Sequence, residues 1–436
     1  TWTPAMGTIV VSSNVIVPAG LTLTVEGGST IYLTNLASVI ARGGGKISLT
    51  GTRAQPIRFL PFNAPNVWGE IAAEGSGSML TLQHVEISGG AVKWRTGAAG
   101  LMEDCYVHNY KSGSIPIAGC TSASSLAVRR CHFSVYHETL WQSTLITVED
   151  CLFENANNPS SDALDFDAAP PGSVIRRCTF RHGPESNTDA IDLGSGSIGT
   201  VVEDCLMFDF PFDKGVSIGE ASFGIVIRNC LVYGCDSGVA VKDTCTATLY
   251  NCTFVDNDFG FRAYNKANPS SPTGGGHITN SYDNILWGND ATISLLNAST
   301  AVADHSDLSN TNWPGTGNID ADPLFVNPTG RDYRLQPGSP AIGSGRDGAN
   351  IGAHFPVGAP MALSHPRFER FQLSGSTITF EFWVDSEKSY RLESSSNIAT
   401  GWTTEASFTP TALPRLVEHQ LSVPVGPQQF YRLVVP

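Results

Sequence analysis

At 436 residues the chain is too long for one ordinary compact core and calls for two domains or a solenoid. Gly 44, Pro 26 and only 15% charged residues suit short strands and turns rather than a helical bundle, and 41% hydrophobic residues are enough for a continuous core. A net charge of −14 argues against a nucleic acid partner, and no apolar run reaches the roughly 20 residues of a membrane helix.

The chain opens at Thr1 without Met and without a basic-then-apolar leader, which predicts a mature or excised segment. Strand-like runs follow at once in GTIVVSSNVIVPAGLTLTVEGGSTIYL and in VWGEIAAEGSGSMLTLQHVEISGG. Then a repeat takes over. MEDCYV, VRRCHF, VEDCLF, IRRCTF, VEDCLM, IRNCLV and LYNCTF carry Cys105, Cys131, Cys151, Cys178, Cys205, Cys230 and Cys252. Val85 in LQHVEI and Ile285 in DNILW are expected at the same position in outlying repeats. The period is too short for two packed helices, and β-branched runs alternate with Gly, Asn, Asp and Ser. One turn of a solenoid with about three short strands fits, stacking equivalent residues about 4.8 Å apart. The cysteines then form an inward ladder of small apolar side chains. Cys120, Cys235 and Cys245 lie off it and are the better disulfide candidates.

Within the repeats, SDALDFD, TDAIDLG, DKGVSIG, DSGVAVK and DFGFRAY align on the small residues Ala163, Ala190, Gly215, Gly238 and Gly260. Leu164, Ile191, Val216, Val239 and Phe261 then point inward, and Asp165, Asp192, Ser217, Ala240 and Arg262 face solvent. Asp167, Gly194, Gly219, Lys242 and Tyr264 lie two residues further, and Asp162, Asp189 and Lys214 precede the small position. The result is a surface stripe with an acidic end, which also includes Asp213, and a basic end of Lys214, Lys242, Arg262 and Lys266. Stacked like charges repel and raise carboxylate pKa values, so a bound cation or a catalytic role is expected; the bland alternative is a solvated face with Asp favoured at bends. The histidines do not share an offset, and no transition-metal or nucleotide motif stands out, so no organic cofactor is expected. After Pro356 the period disappears and strand-like TITFEFWV, SYRLESSS and QQFYRLVV follow, with Trp383 and Trp402 as core or sugar-stacking aromatics.

The N-terminal runs, with DADPLFVNPTGRDYRLQPGSPAIGSG as a closing turn over residues 320 to 345, resemble bacterial β-helix proteins of the pectate-lyase-like superfamily. YRLESSSNIATGW and FYRL resemble small C-terminal β-sandwich modules of secreted bacterial proteins. The expected fold is an all-β, right-handed parallel β-helix of about twelve turns over residues 1–358, followed by a β-sandwich-like domain over 359–436. The resemblance implies an extracellular or cell-surface, monomeric protein acting on or binding polysaccharide.

Three readings of the stripe stay open. In glycoside hydrolysis two carboxylates serve as acid and base: neighbouring-turn Asp165 and Asp192 are expected near the roughly 5 to 5.5 Å of retaining enzymes, with Asp189 and Asp213 the other candidates; SNTDAID with FDKGVSIGE loosely resembles the polygalacturonase layout, with Lys214 in place of its histidine. In β-elimination on a uronate, VAVKDTCTATLYNCTF and GFRAY resemble alginate and chondroitin lyases, implying Lys242 as base and Arg262 as its helper. Only Asp236 stands where that family binds calcium, so Ca²⁺ is assigned instead to Asp162, Asp165 and Asp167. The third reading is a non-catalytic glycan-binding or adhesive scaffold, stabilised by calcium. An enzyme should wall the stripe with long bends such as residues 265 to 280.

Overall fold

The computed structural model describes residues 1–63, 67–110, 116–156, 158–359, 370–384, 389–397, 401–409, 415–422 and 429–434, with only the backbone of 370, 371, 381, 383, 415 and 416. The chain forms two compact units, one of residues 1–323 with 338–359 and one of 324–337 with 360–436.

The first unit is a right-handed parallel β-helix of twelve turns. Each turn runs through a strand of sheet one, a tight bend, a strand of sheet two and a strand of sheet three. Ala99–Glu103, Tyr106–Tyr110 and Ala118–Thr121 make one such turn. Strands pair only with their equivalents one turn away, always in parallel, as Ala99–Glu103 does with Ser125–Arg129. The interior is therefore a set of columns. On sheet two Phe133, Phe153 and Phe180 stack at 4.8 and 4.7 Å between centroids, the repeat distance of paired strands.

The seven repeat cysteines form one inward column at the bend between sheets one and two, and all are buried. Each thiol donates to the carbonyl two residues earlier, at 3.2 Å in Cys105 and 3.3 Å in Cys252. Val85 sits in this column, since Glu86 pairs with Tyr106. Ile285 does not. It pairs with Thr253, which puts Asn284 at the ladder position, where its Oδ1 accepts from Cys252 N at 2.9 Å. The expected disulfides are also absent: Cys120, Cys235 and Cys245 are free and buried. Each lies in its own column, Cys120 between Trp94 and Trp141, so no second sulfur approaches along the stack.

The bend residue before the cysteine column is left-handed in successive turns: Asp104, Arg130, Asp150, Arg177, Asp204, Asn229 and Asn251 all have φ between 49° and 56°. Charge alternates along this outer column and the one beside it. Glu103–Asp104, Arg129–Arg130, Glu149–Asp150, Arg176–Arg177 and Glu203–Asp204 follow one another turn by turn. Arg130 clasps Asp104 with two hydrogen bonds of 2.8 Å, and Arg177 clasps Asp150 at 2.7 and 3.1 Å. This neutralises every stacked charge against its neighbour.

The outward column of sheet two runs Leu152, Thr179, Leu206, Leu231, Thr253 and Ile285, and all of these are buried. Residues 338–359 pack along it from Ile285 to Thr179. This strap runs back from the last turns towards the middle: Arg346 N donates to Asp283 Oδ1, Ala353 N to Thr253 Oγ1, His354 N to Asn229 Oδ1 and Ala359 N to Thr179 Oγ1. Gly352 and Gly358 are needed here: a Cβ would come 2.6 Å from Ile285 and 2.7 Å from Thr179, and both have positive φ. The expected closing turn is thus not a β-helix turn. Its first part is an antiparallel hairpin of Phe325–Asn327 and Asp332–Leu335, grouped with the second unit, and its end begins the strap. Pro323 and Pro328 lack the amide donors that a parallel ladder would require.

The second unit contains two three-stranded antiparallel sheets, Arg370–Ser374, Thr377–Val384 and Arg415–Ser422 in one and Tyr390–Ser395, Thr403–Phe408 and Phe430–Val434 in the other. Ile378, Phe380, Phe382, Val384, Tyr390, Leu392, Val417 and Leu433 share its core. Trp402 carries the Arg432 guanidinium 4.2 Å above its ring; the Trp383 side chain lies outside the described residues.

Candidate functional site: a carboxylate cluster on the third sheet

Sheet three presents the expected stripe, because its register follows the small-residue column. Leu164, Ile191, Val216, Val239 and Phe261 stack inward, and all are fully buried. Asp165, Asp192, Ser217, Ala240 and Arg262 form the outward column beside them. In the next outward column Gln142, Asp167 and Gly194 are paired neighbours, and Lys242 pairs with Tyr264.

Asp162, Asp189 and Asp192 converge, each offering a carboxylate oxygen within 4.8 Å of the others. Hydrogen bonds fix their aim. Asp162 Oδ1 accepts from Asp189 N at 2.7 Å, and Asp189 Oδ1 accepts from Lys214 N at 2.9 Å. Lys214 Nζ lies 3.4 Å from Asp189 and also contacts Asp213, so Asp213 serves to hold Lys214. Asp192 Oδ1 is buried with no hydrogen-bond partner. Burial, with Asp189 and Asp192 close by, holds the Asp162 carboxyl well above the usual range. Asp192 is also raised, by burial and by Asp189, against the opposing pull of Lys242 and a hydrogen bond with Ser217.

Lys242 is 2% exposed and donates to Ser217 Oγ at 2.7 Å. Gly219 makes the room: a Cβ there would lie 2.8 Å from Lys242 Cε. Burial pulls the Lys242 ammonium down, but Asp192 and Asp189, with Tyr264 and Asp162, outweigh it and hold the group above an ordinary lysine. A lysine kept protonated in this way is a poor proton acceptor.

Asp165 pairs directly with Asp192 in the same outward column and Asp167 stands in the next, so of the residues assigned to Ca²⁺ only Asp162 belongs to the three carboxylates that converge. Burial, then Asp167 and Asp192, push Asp165 up to about 8. Arg262 lies three turns from Asp192 along its column, held by Asp236 at 3.3 Å and flanked by the Phe259 and Tyr264 rings. The bend after Tyr264 is built as a firm structure: Asn265 Nδ2 donates to Thr273 O, Asp243 Oδ1 accepts from Ala267 N, and Asn297 Nδ2 donates to Pro269 O. Its Lys266 acts electrostatically on Asp192.

Three residues of interest were not picked out from sequence. Phe212 is 66% exposed beside Asp213, where the register slips between Phe210 and Lys214. Glu138, near Asp167, is raised to about 7 by burial. Lys93 lies outward on the Asp165 column, three turns earlier. The extra residues of FPFD signalled the first; nothing local signalled the other two.

The family model described as a right handed beta helix region matches residues 140–272, the turns that carry this site. No curated protein matches the chain. Among solved structures, an alginate lyase from Paenibacillus is similar at 14% identity and TM-score 0.31, covering 65% of this chain and 100% of that one. A lacto-N-biosidase from Eubacterium ramulus gives 10% identity and TM-score 0.33 over 63% of this chain and 62% of its own. The A-module of a mannuronan C-5 epimerase from Azotobacter vinelandii gives 12% and 0.24 over 66% and 91%.

Proposed function

We propose that the protein cleaves glycosidic bonds of an acidic polysaccharide by hydrolysis, with the carboxyl groups of Asp162, Asp189 and Asp192 as acid, base or nucleophile. One observation carries this: three carboxyl groups converge within 4.8 Å while Lys242, on the same face, is held protonated. Two carboxyls pushed above their ordinary range beside one clasped by Lys214 supply a proton donor and a charged partner. Two of the three, Asp189 and Asp192, also fall on SNTDAID, the segment that resembles polygalacturonases. β-Elimination through Lys242 is the weaker reading, because its base would first have to lose a proton that three aspartates hold in place. Lys242 instead steadies Asp192 through Ser217, and Phe212 offers a flat face for a sugar ring beside Lys214.

Carboxyl oxygens this close lie nearer the roughly 5 to 5.5 Å of double-displacement enzymes than the roughly 6.5 to 9.5 Å of inverting ones, so retention at the anomeric carbon is expected. The test is digestion of a panel of uronate-rich and neutral polysaccharides, read by reducing ends and by the absorbance of unsaturated uronate. Reducing ends without absorbance, lost in Asp192→Asn, support hydrolysis. Absorbance that disappears in Lys242→Ala would restore the lyase.

A second reading has its own observation. Three carboxylate oxygens with one buried and unpartnered are also a donor set for a hard cation such as Ca²⁺. In that reading the ion sits on Asp162, Asp189 and Asp192, not on Asp165 and Asp167, and the face binds glycan without cleaving it. Millimolar CaCl₂ should then raise the melting temperature of the parent and leave Asp162→Asn unmoved; equal shifts in both would remove the ion from this site.

A further inference from the structure

Lys93 is a buried lysine on the face that carries the stripe. It lies in Ala91–Arg95 of sheet three, on the outward column that continues through Gly119 and Leu140 to Asp165. It is 9% exposed, yet it makes no ion pair or hydrogen bond with a described residue. Its natural partner one turn earlier is already taken: Arg95 clasps Glu70 through two bonds of 2.6 and 2.7 Å. Glu74 is shared between Arg95 and Arg42. An ammonium taken out of water without a counterion is costly, and a fold gains nothing by keeping one.

One turn on, Gly119 leaves the column without a side chain, and a Cβ there would fall 1.9 Å from Leu140 O. Two turns on stands Glu138, whose carboxyl is raised to about 7 by burial, with Asp167 adding to the rise and Lys93 opposing it. A protonated carboxyl and an ammonium are both donors, and two donors close enough to act on one another electrostatically suit an anion. Burial brings the Lys93 ammonium down to about 7; Glu70, Glu138 and Cys120 oppose that and Arg95 adds to it.

We propose that Lys93, with Glu138, forms a second subsite that binds the carboxylate of a uronic acid unit in the same glycan chain that reaches the aspartate cluster. Three turns separate Lys93 from Asp165, about 14 Å at the strand spacing, a gap that an oligosaccharide bridges and a monosaccharide does not. The subsite rests on the glycan reading of the stripe and adds its ligand class: an anionic sugar polymer, anchored away from the bond that reacts. A bound carboxylate would restore the lysine's proton, so binding takes up protons near neutral pH and weakens as pH rises through about 7.

The experiment is titration calorimetry of the Asp192→Asn protein with oligogalacturonates and oligomannuronates of increasing length, at pH 6 and pH 8, in two buffers of different ionisation enthalpy. Cello-oligosaccharides and a sulfated oligosaccharide series run beside them. Expected are tighter uronate binding at pH 6, a gain in affinity once the chain spans both sites, and proton uptake. Lys93→Gln should lose roughly tenfold to a hundredfold for the long uronates and nothing for the neutral sugars. Lys93→Arg should keep the affinity and reduce the pH dependence to the part that Glu138 contributes. The proposal is overturned if Lys93→Gln binds long uronates as the parent does, if neutral sugars lose as much, if sulfated chains bind better than uronates, or if no uronate binds. Failure of the hydrolysis reading shows separately, as cleavage that persists in Asp192→Asn.

Discussion

Two charged columns run up the same turns of this β-helix, and they are built in opposite ways. At the bend before the cysteines, acidic and basic pairs alternate from Glu103–Asp104 to Glu203–Asp204, and the arginines bridge the carboxylates at 2.7 to 3.1 Å. On sheet three, Asp162 and Asp189 stack in one column and Asp165 and Asp192 in the next, with no arginine between them. The repeat geometry is common to both, so stacking alone does not force like charges together. One column is neutralised turn by turn and the other only in part, by Lys214 and Lys242, and the proposed function rests on that contrast.

The sharpest way to break this contrast is Asp192→Asn. If the stripe is catalytic, kcat should fall by roughly a thousandfold or more, while thermal unfolding should shift upward because a repelled, half-buried carboxylate is gone. Loss of stability with unchanged turnover would make the stripe ordinary surface. The converse change belongs to the alternating column. Arg177→Glu turns the attraction to Asp150, Glu149 and Asp204 into repulsion and should cost about 1–2 kcal/mol in urea unfolding. A double variant, Asp150→Arg with Arg177→Asp, should recover part of that.

The pH response sharpens the comparison further. Asp165 rises from 3.8 to about 8 in the fold, so the folded state binds its proton more tightly than the unfolded chain does. Its contribution is complete below about pH 4 and fades as pH climbs towards 8. Asp307, raised to about 7 by burial, has the same sign. The helical unit should therefore gain stability on acidification from pH 8 to pH 5, and Asp165→Asn should flatten that slope. A parent that loses stability over this range would contradict the assignment. The smallest expected effect is chemical: the seven ladder thiols, fully buried and donating to carbonyls, should resist alkylation in the native protein and react only on unfolding.

Much of this was legible in sequence. The spacing of Cys105 to Cys252 set the turns, and aligning Ala163 through Gly260 placed the inward and outward columns, because a parallel ladder carries each residue type to the same side in every turn. Local drift defeated the reading at the ends. Asn284 replaces cysteine in the ladder by using its amide to accept from Cys252 N, a role that hydrophobicity does not reveal. Lys93 and Glu138 escaped for a different reason: their environment is made by other turns. Which carboxylates converge also depends on side-chain aim, and backbone hydrogen bonds to Asp162 and Asp189 decide it.

The strap of residues 338–359 alters how this stack can come apart. A pure stack of repeats holds each turn only through its neighbours, so fraying can proceed from an end one layer at a time. Here one segment touches Asp283, Thr253, Asn229, Asp204 and Thr179 in succession, fastening several layers at once. Pulling on the end of such a rod would first have to peel a seam lying across its layers, and the layers beneath would then release together.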